Sequence, residues 1–154
     1  MYRWFRTTLF SLFAVWFGGL TFYALVVVPT GQRILGSHRA QGFVTRDVTS
    51  SWNLLGAVVI VLLWFDVISH RAKMDRVRRS IVILALLTLA QIALFVLHPW
   101  LDALLDASAG NVLDARRFYD RHRLYLWTTA AVWGLSVAHL HATMLGTSTV
   151  VRRP

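Results

Sequence analysis

Two long apolar runs without a charged residue, Leu54–Phe65 and Ile81–Val96, flank a short turn, Ser69–Arg79, that carries five Lys/Arg and a single Asp. This pairing leaves the chain few options. Water cannot cover two helices that are apolar all round, and hydrocarbon cannot cover a cluster of cations. The pattern therefore predicts a transmembrane hairpin whose turn stays at one membrane face.

Two further helices follow from the same reasoning. Thr7–Val28 comes after the basic start MYRWFR and, at ~1.5 Å per residue, is long enough to cross a ~30 Å hydrocarbon core. The run is longer than the ~7–15 residues of a signal-peptide core and has no small-x-small cleavage pattern near its end, so it reads as an uncleaved helix. The expected helices are about 7–28, 50–69, 80–97 and 124–145. Together they make one all-α polytopic membrane domain over 1–154, with four transmembrane helices in two hairpins forming a bundle. Pro29 and Pro99 are expected to end the first and third helices, because proline lacks a backbone donor and biases its predecessor away from helix. The segments of about 30–48 and 100–118 mix apolar and charged residues and are expected to lie on the outer membrane surface. A faint internal repeat supports the two-hairpin plan, with Phe43 and Trp52 matching Phe118 and Trp127 at one offset.

Composition narrows the function. Hydrophobic residues make up 56% of the chain, above the ~45–50% of a soluble domain. Cysteine is absent, which excludes disulfides, thiol catalysis, thiolate metal sites and c-type haem attachment. The formal charge of +9 lies in short flanks around apolar runs and forms no stripe on one soluble face, so no nucleic-acid partner is expected. The counter-charge is the headgroup layer of the lipid bilayer. The N-terminus, the basic turn and the C-terminal tail share nine Lys/Arg and one Asp, against seven Arg and five Asp in the two longer loops. The bases are denser on the first side, so both termini are expected in the cytoplasm.

Each helix carries small or polar residues at helical spacing. Ser11, Ala14, Gly18 and Thr21 mark the first, Asn53, Gly56 and Ala57 the second, Thr88, Gln91 and His98 the third, and Thr129, Ser136, His139 and Thr143 the fourth. Lipid rewards none of these groups, so the stripes are expected to face one another. Gly18, Gly19, Asn53 and Gln91 are the expected packing residues. Asp66 is the one acid within an apolar run, with His70 one turn on, and His139 and His141 fall at comparable depth. Asp66, His70, His139 and His141 form the candidate intramembrane cluster. His38, His98 and His122 form a second, outer set.

The stretch WFGGLTFYALVVVPTGQRILG (Trp16–Gly36), with GFVTRDVTSSWNLLG and HRLYLWTTAAVWGL further on, resembles the transmembrane-protein-205-like family. The resemblance implies a four-helix fold and, with the bacterial members as guide, placement in the bacterial inner membrane. It implies no catalytic residues.

No nucleophile elbow, phosphate loop or zinc-protease signature occurs, so no enzyme is expected and no catalytic residue is assigned. The leading expectation is a non-enzymatic scaffold or accessory subunit that packs with itself, as a homo-oligomer, or with a membrane complex, without cofactor. One alternative is an electron-transfer subunit holding haem b or a metal on His70 and His139. Another is a small oligomeric proton-coupled transporter using Asp66.

Overall fold

The structure, a computed structural model, describes residues 2–36, 38–69, 74–106 and 111–147. Four long helical stretches run the length of the molecule. The first begins with α1 (Tyr2–Phe22), passes through a π-helical turn (Tyr23–Val27) and continues as α2 (Val28–Leu35). The others are α3 (His38–Ser69), α4 (Met74–Asp102) and α5 (Ala115–Thr147). Between α4 and α5, β1 (Leu105–Asp106) pairs antiparallel with β2 (Asn111–Val112).

Neither proline ends its helix. Pro29 sits in the first turn of α2, directly after the π turn, where the Val28 N–H reaches back to the Tyr23 carbonyl. The π register moves that donor one residue further back, and the widened turn receives the pyrrolidine ring without breaking the helix. Pro99 lies inside α4, and its carbonyl accepts from the Ala103 N–H. So close to the helix end, the one hydrogen bond that proline removes is a small loss.

The linker of about 30–48 is therefore not a separate segment. Its first part continues α1 and its second opens α3, with one reversal at Gly36. Gly36 has φ 60° and ψ 9°, the left-handed conformation that glycine adopts without a Cβ penalty, and its N–H caps the Gln32 carbonyl at 3.1 Å. Nor do the described residues of 100–118 form one separate segment. There α4 unwinds through a turn into the small hairpin, and α5 starts at Ala115, well before the expected 124. Asp114 sets this start: its Oδ1 accepts the Arg117 N–H at 3.0 Å, which is N-cap geometry.

Three of the four stretches, Arg3–Leu35, Ala40–Ser69 and Arg78–Asp102, are long and apolar enough to cross a membrane; α5 is long but more polar. The expected four-helix bundle is seen as four packed helices, of which three have membrane-spanning character. The core joins Leu9, Phe13 and Trp16 of α1 to Val59, Ile60 and Leu63 of α3, Leu84, Leu87 and Leu94 of α4, and Val132 of α5. The buried face of α1 is thus its bulky face. Ser11, Ala14 and Gly18 point outward, the reverse of the expected stripe, because the rings of Phe13 and Trp16 fill the space between helices that small residues would leave empty.

The outside is as apolar as the inside. Leu54, Val58, Val61, Phe65 and Ile68 form one exposed helical stripe on α3, and Leu86, Leu89 and Val96 another on α4. Gln41, Asn53, Gln91, Ser136 and His139 are buried. This inversion of the soluble pattern is the form a bundle takes when its solvent is hydrocarbon.

Candidate functional site

Polar groups gather at two levels of the bundle. At the first, Arg6 of α1 lies 3.5 Å from the Asp66 carboxylate of α3. His139 of α5 is close enough for its charge to act on Asp66. The His139 ring, 3% exposed, packs beside Phe13 with its Nδ1 unpartnered. Arg6 lies over the Phe10 ring at 5.3 Å, and its Nε is buried without a hydrogen bond. Two of the expected cluster, Asp66 and His139, are therefore brought together. His141 is not: two residues further along α5 it faces outward and is exposed, because successive helical residues turn ~100° apart. His70 lies outside the described residues.

At the second level a network crosses three helices. Arg46 Nε donates to Asp102 Oδ1 at 2.8 Å, and His98 Nδ1 lies 3.3 Å from the other carboxylate oxygen, Oδ2. His98 Nε2 meets the Arg46 carbonyl at 3.2 Å, and the His98 ring sits edge-on to Tyr125 at 6.3 Å. Asn53 Nδ2 donates to the Tyr125 hydroxyl at 3.0 Å, while Gln91 Nε2 donates to the Asn53 carbonyl at 3.1 Å. Beside this network Arg121 donates to the Trp100 carbonyl at 2.8 Å and lies over its ring at 5.6 Å. Of the outer histidines only His98 joins the network. His122 stacks on Phe118 at 5.7 Å, and the side chain of His38 lies outside the description.

Arg46, Asp102 and Tyr125 were not among the expected site residues. The i, i+4 spacing of His98 and Asp102 is a signal in the sequence for half of this network. The Arg46–Asp102 pair, separated by fifty-six positions, has no local signal.

The packing glycines divide. A Cβ on Gly19 would collide with the indole of Trp52, and one on Gly56 would come within 2.8 Å of Trp16 Nε1 and 3.0 Å of Gln91 Oε1. Gly18 has nothing within 4 Å and is not a contact residue. Gly31, not singled out in the sequence, receives the amide of Gln41 against its α-carbon. The expected repeat also separates: Trp52 is half-buried on Gly19, whereas Trp127 is 72% exposed.

Among the described residues no three His, Cys, Asp or Glu side chains are grouped as a metal site. The fold and its polar levels define a class, an all-α bundle with three membrane-length helices and a hydrogen-bonded interior. Beyond that class, no protein-family model, curated protein or solved structure matches the chain.

Proposed function

We propose that the chain is a bacterial inner-membrane protein with four crossings and cytoplasmic termini, acting without catalysis as a scaffold or accessory subunit that packs with itself or a membrane complex. The observation that carries this reading is the inverted surface, with large apolar side chains outside and mutually bonded polar groups inside. Asn53, Tyr125 and Gln91 use their hydrogen bonds between helices, and Trp16, Gly56 and Gln91 are in close contact inside the bundle.

The two polar levels support four crossings. From Arg46 to Asp66, α3 advances twenty residues, about 30 Å at about 1.5 Å each, which is the thickness of a hydrocarbon core. Along α5, Arg121 stands at the Trp100 end and His139 at the Asp66 end, so this more polar helix covers the same span. Leu124, Leu126, Trp133 and Val137 keep its outer face apolar. Likeness to the transmembrane-protein-205-like family adds the bacterial inner membrane and the orientation.

The test is membrane fractionation, reporter fusions at both termini, and purification in mild detergent with the stoichiometry of what co-purifies. Cytoplasmic reporters and a self-associated or partner-bound complex are expected. A periplasmic terminus overturns the topology. A purely monomeric chain with a haem spectrum that His139→Ala abolishes overturns the scaffold in favour of electron transfer.

A second reading rests on one observation: the Nδ1 of His139 is buried and unpartnered in range of the Asp66 charge. A proton-coupled oligomer would carry its proton on Asp66, the acid within the apolar run, with this imidazole as its neighbour across the helix interface. Proton flux into vesicles containing the purified chain, lost in His139→Leu, is its test.

A further inference from the structure

Above the second polar level the α2 and α3 helices form a head. Its base is fixed by the Tyr23 hydroxyl, which donates to Thr45 Oγ1 at 3.1 Å, one residue before the Arg46–Asp102 pair. Eight residues of α3, about 12 Å at about 1.5 Å each, extend beyond Arg46. If the two polar levels bound the hydrocarbon, this head stands among the headgroups, a step that rests on the four-crossing reading.

In that zone a bare apolar surface is unexpected, yet the head has one. A groove of about 390 Å³ opens between α2 and α3, walled by Val26, Ile34, Leu35 and Val44. Ile34 is 75% exposed. The two polar side chains at the groove contribute little polarity: Gln41 is buried, with its amide on Gly31 and directed to Thr45 at 3.4 Å, and Thr30 is half-buried. Toward the bundle the groove has no end wall of charge. It ends at Val26, one turn above exposed Phe22 on the same helical stretch, whose outward side chains lipid tails cover in any crossing arrangement. At the far end Arg33, in the last turn of α2, is exposed.

We infer that this groove holds one phospholipid, its upper acyl methylenes between Ile34 and Val44 and its anionic phosphate at Arg33. The occupant follows from continuity and charge. An apolar trough that begins on the lipid-covered flank is filled from that flank, and the exposed Arg33, next in sequence to the groove's Ile34, offers a guanidinium to a phosphate.

The experiment uses the full chain with p-benzoylphenylalanine at position 34, photolysed in intact membranes and analysed by mass spectrometry. Native mass spectra of the detergent-purified chain in mixed phosphatidylglycerol and phosphatidylcholine are recorded alongside. The expected result is a lipid adduct on residue 34 and one retained phospholipid, favouring phosphatidylglycerol. Val44→Trp, which fills the groove, removes the retained lipid while helicity and melting hold. Arg33→Gln keeps the lipid but lowers the anionic preference about fivefold, the discrimination one basic side chain gives at an anionic surface. If Val44→Trp fails to fold, Ile34→Ser serves, with weaker retention expected. A polypeptide adduct at position 34, or retention unchanged by the groove variants, overturns the inference. Either can occur while fractionation and reporters still report four crossings, so its failure is separable from failure of the membrane reading.

Discussion

The side-chain amide of Asn53 donates a 3.0 Å hydrogen bond to the hydroxyl of Tyr125, tying α3 to α5. The Asn53 backbone carbonyl in turn receives the Gln91 amide of α4 at 3.1 Å. Three helices thus converge on one residue. In lipid, where apolar contact between helices has no advantage over contact with tails, such bonds and close packing supply the attraction.

Removing that bond tests its weight. Tyr125→Phe is expected to cost about 0.6 kcal/mol, and Asn53→Ala more, about 1–2 kcal/mol, because it also empties buried side-chain volume. Unfolding in mixed detergent for both single variants and the double variant gives the coupling. Strictly additive losses would show that the two side chains do not act together.

The glycines should separate sharply. Gly19→Ala and Gly56→Ala force a Cβ against Trp52 and Trp16 and are expected to cost about 1–3 kcal/mol, whereas Gly18→Ala, open on the outer face, changes little. Trp52→Phe removes the ring atoms that pack on Gly19 and should relieve the cost of Gly19→Ala in the double variant. Equal losses for Gly18→Ala and Gly19→Ala in thermal melts would contradict the packing.

His139 and His141, two residues apart, should behave differently. His139→Ala empties a buried site and should cost about 1–3 kcal/mol, while His139→Leu, which removes an unpaired nitrogen and keeps volume, stays within about 1 kcal/mol of the parent. His141→Ala should lie within about 0.5 kcal/mol. These are read from melting in one detergent.

Asp102 carries two partners, so Asp102→Asn should weaken its hold on both Arg46 and His98. The pair is partly exposed, which limits the expected loss to about 0.5–1 kcal/mol. Raising salt should narrow the difference between parent and variant. A salt-independent gap would assign the loss to packing.

His122, at the outer boundary beside Arg121 and ahead of the expected crossing of about 124–145, has its pKa lowered by burial. Its folded form therefore binds a proton less readily than the unfolded chain. Stability should fall as pH drops through the ordinary histidine value of 6.5 toward the folded pKa, and be unaffected by this group above that range. His122→Gln should flatten that part of the pH profile of the melting temperature, and an unchanged slope would reassign it.

The helices were legible where hydrophobic runs are long. Ala40–Ser69 and Arg78–Asp102 follow from the apolar stretches around the basic turn, since no other element hides so much backbone in so apolar a setting. Their ends were not legible at the prolines. The penalty assigned to Pro29 presumes α-helical register, and the π turn before it changes the register. The early start of α5 did have a signal, Asp114 ahead of Ala115, outweighed by the charged run behind it.

Sequence alone determined that most of this chain is helical, that its long apolar runs suit hydrocarbon, and that Asp66 and His139 are polar groups where polar groups are costly. These depend on residue type and spacing along one helix. Tertiary structure decided which faces meet. It turned Gly18 outward and Gly19 onto Trp52, gave Asp66 the distant Arg6, and joined Arg46 to Asp102 and Asn53 to Tyr125. In a bundle apolar inside and out, hydrophobic periodicity does not mark the buried face, so helix rotation is set by ring packing and interhelical hydrogen bonds between residues far apart in sequence.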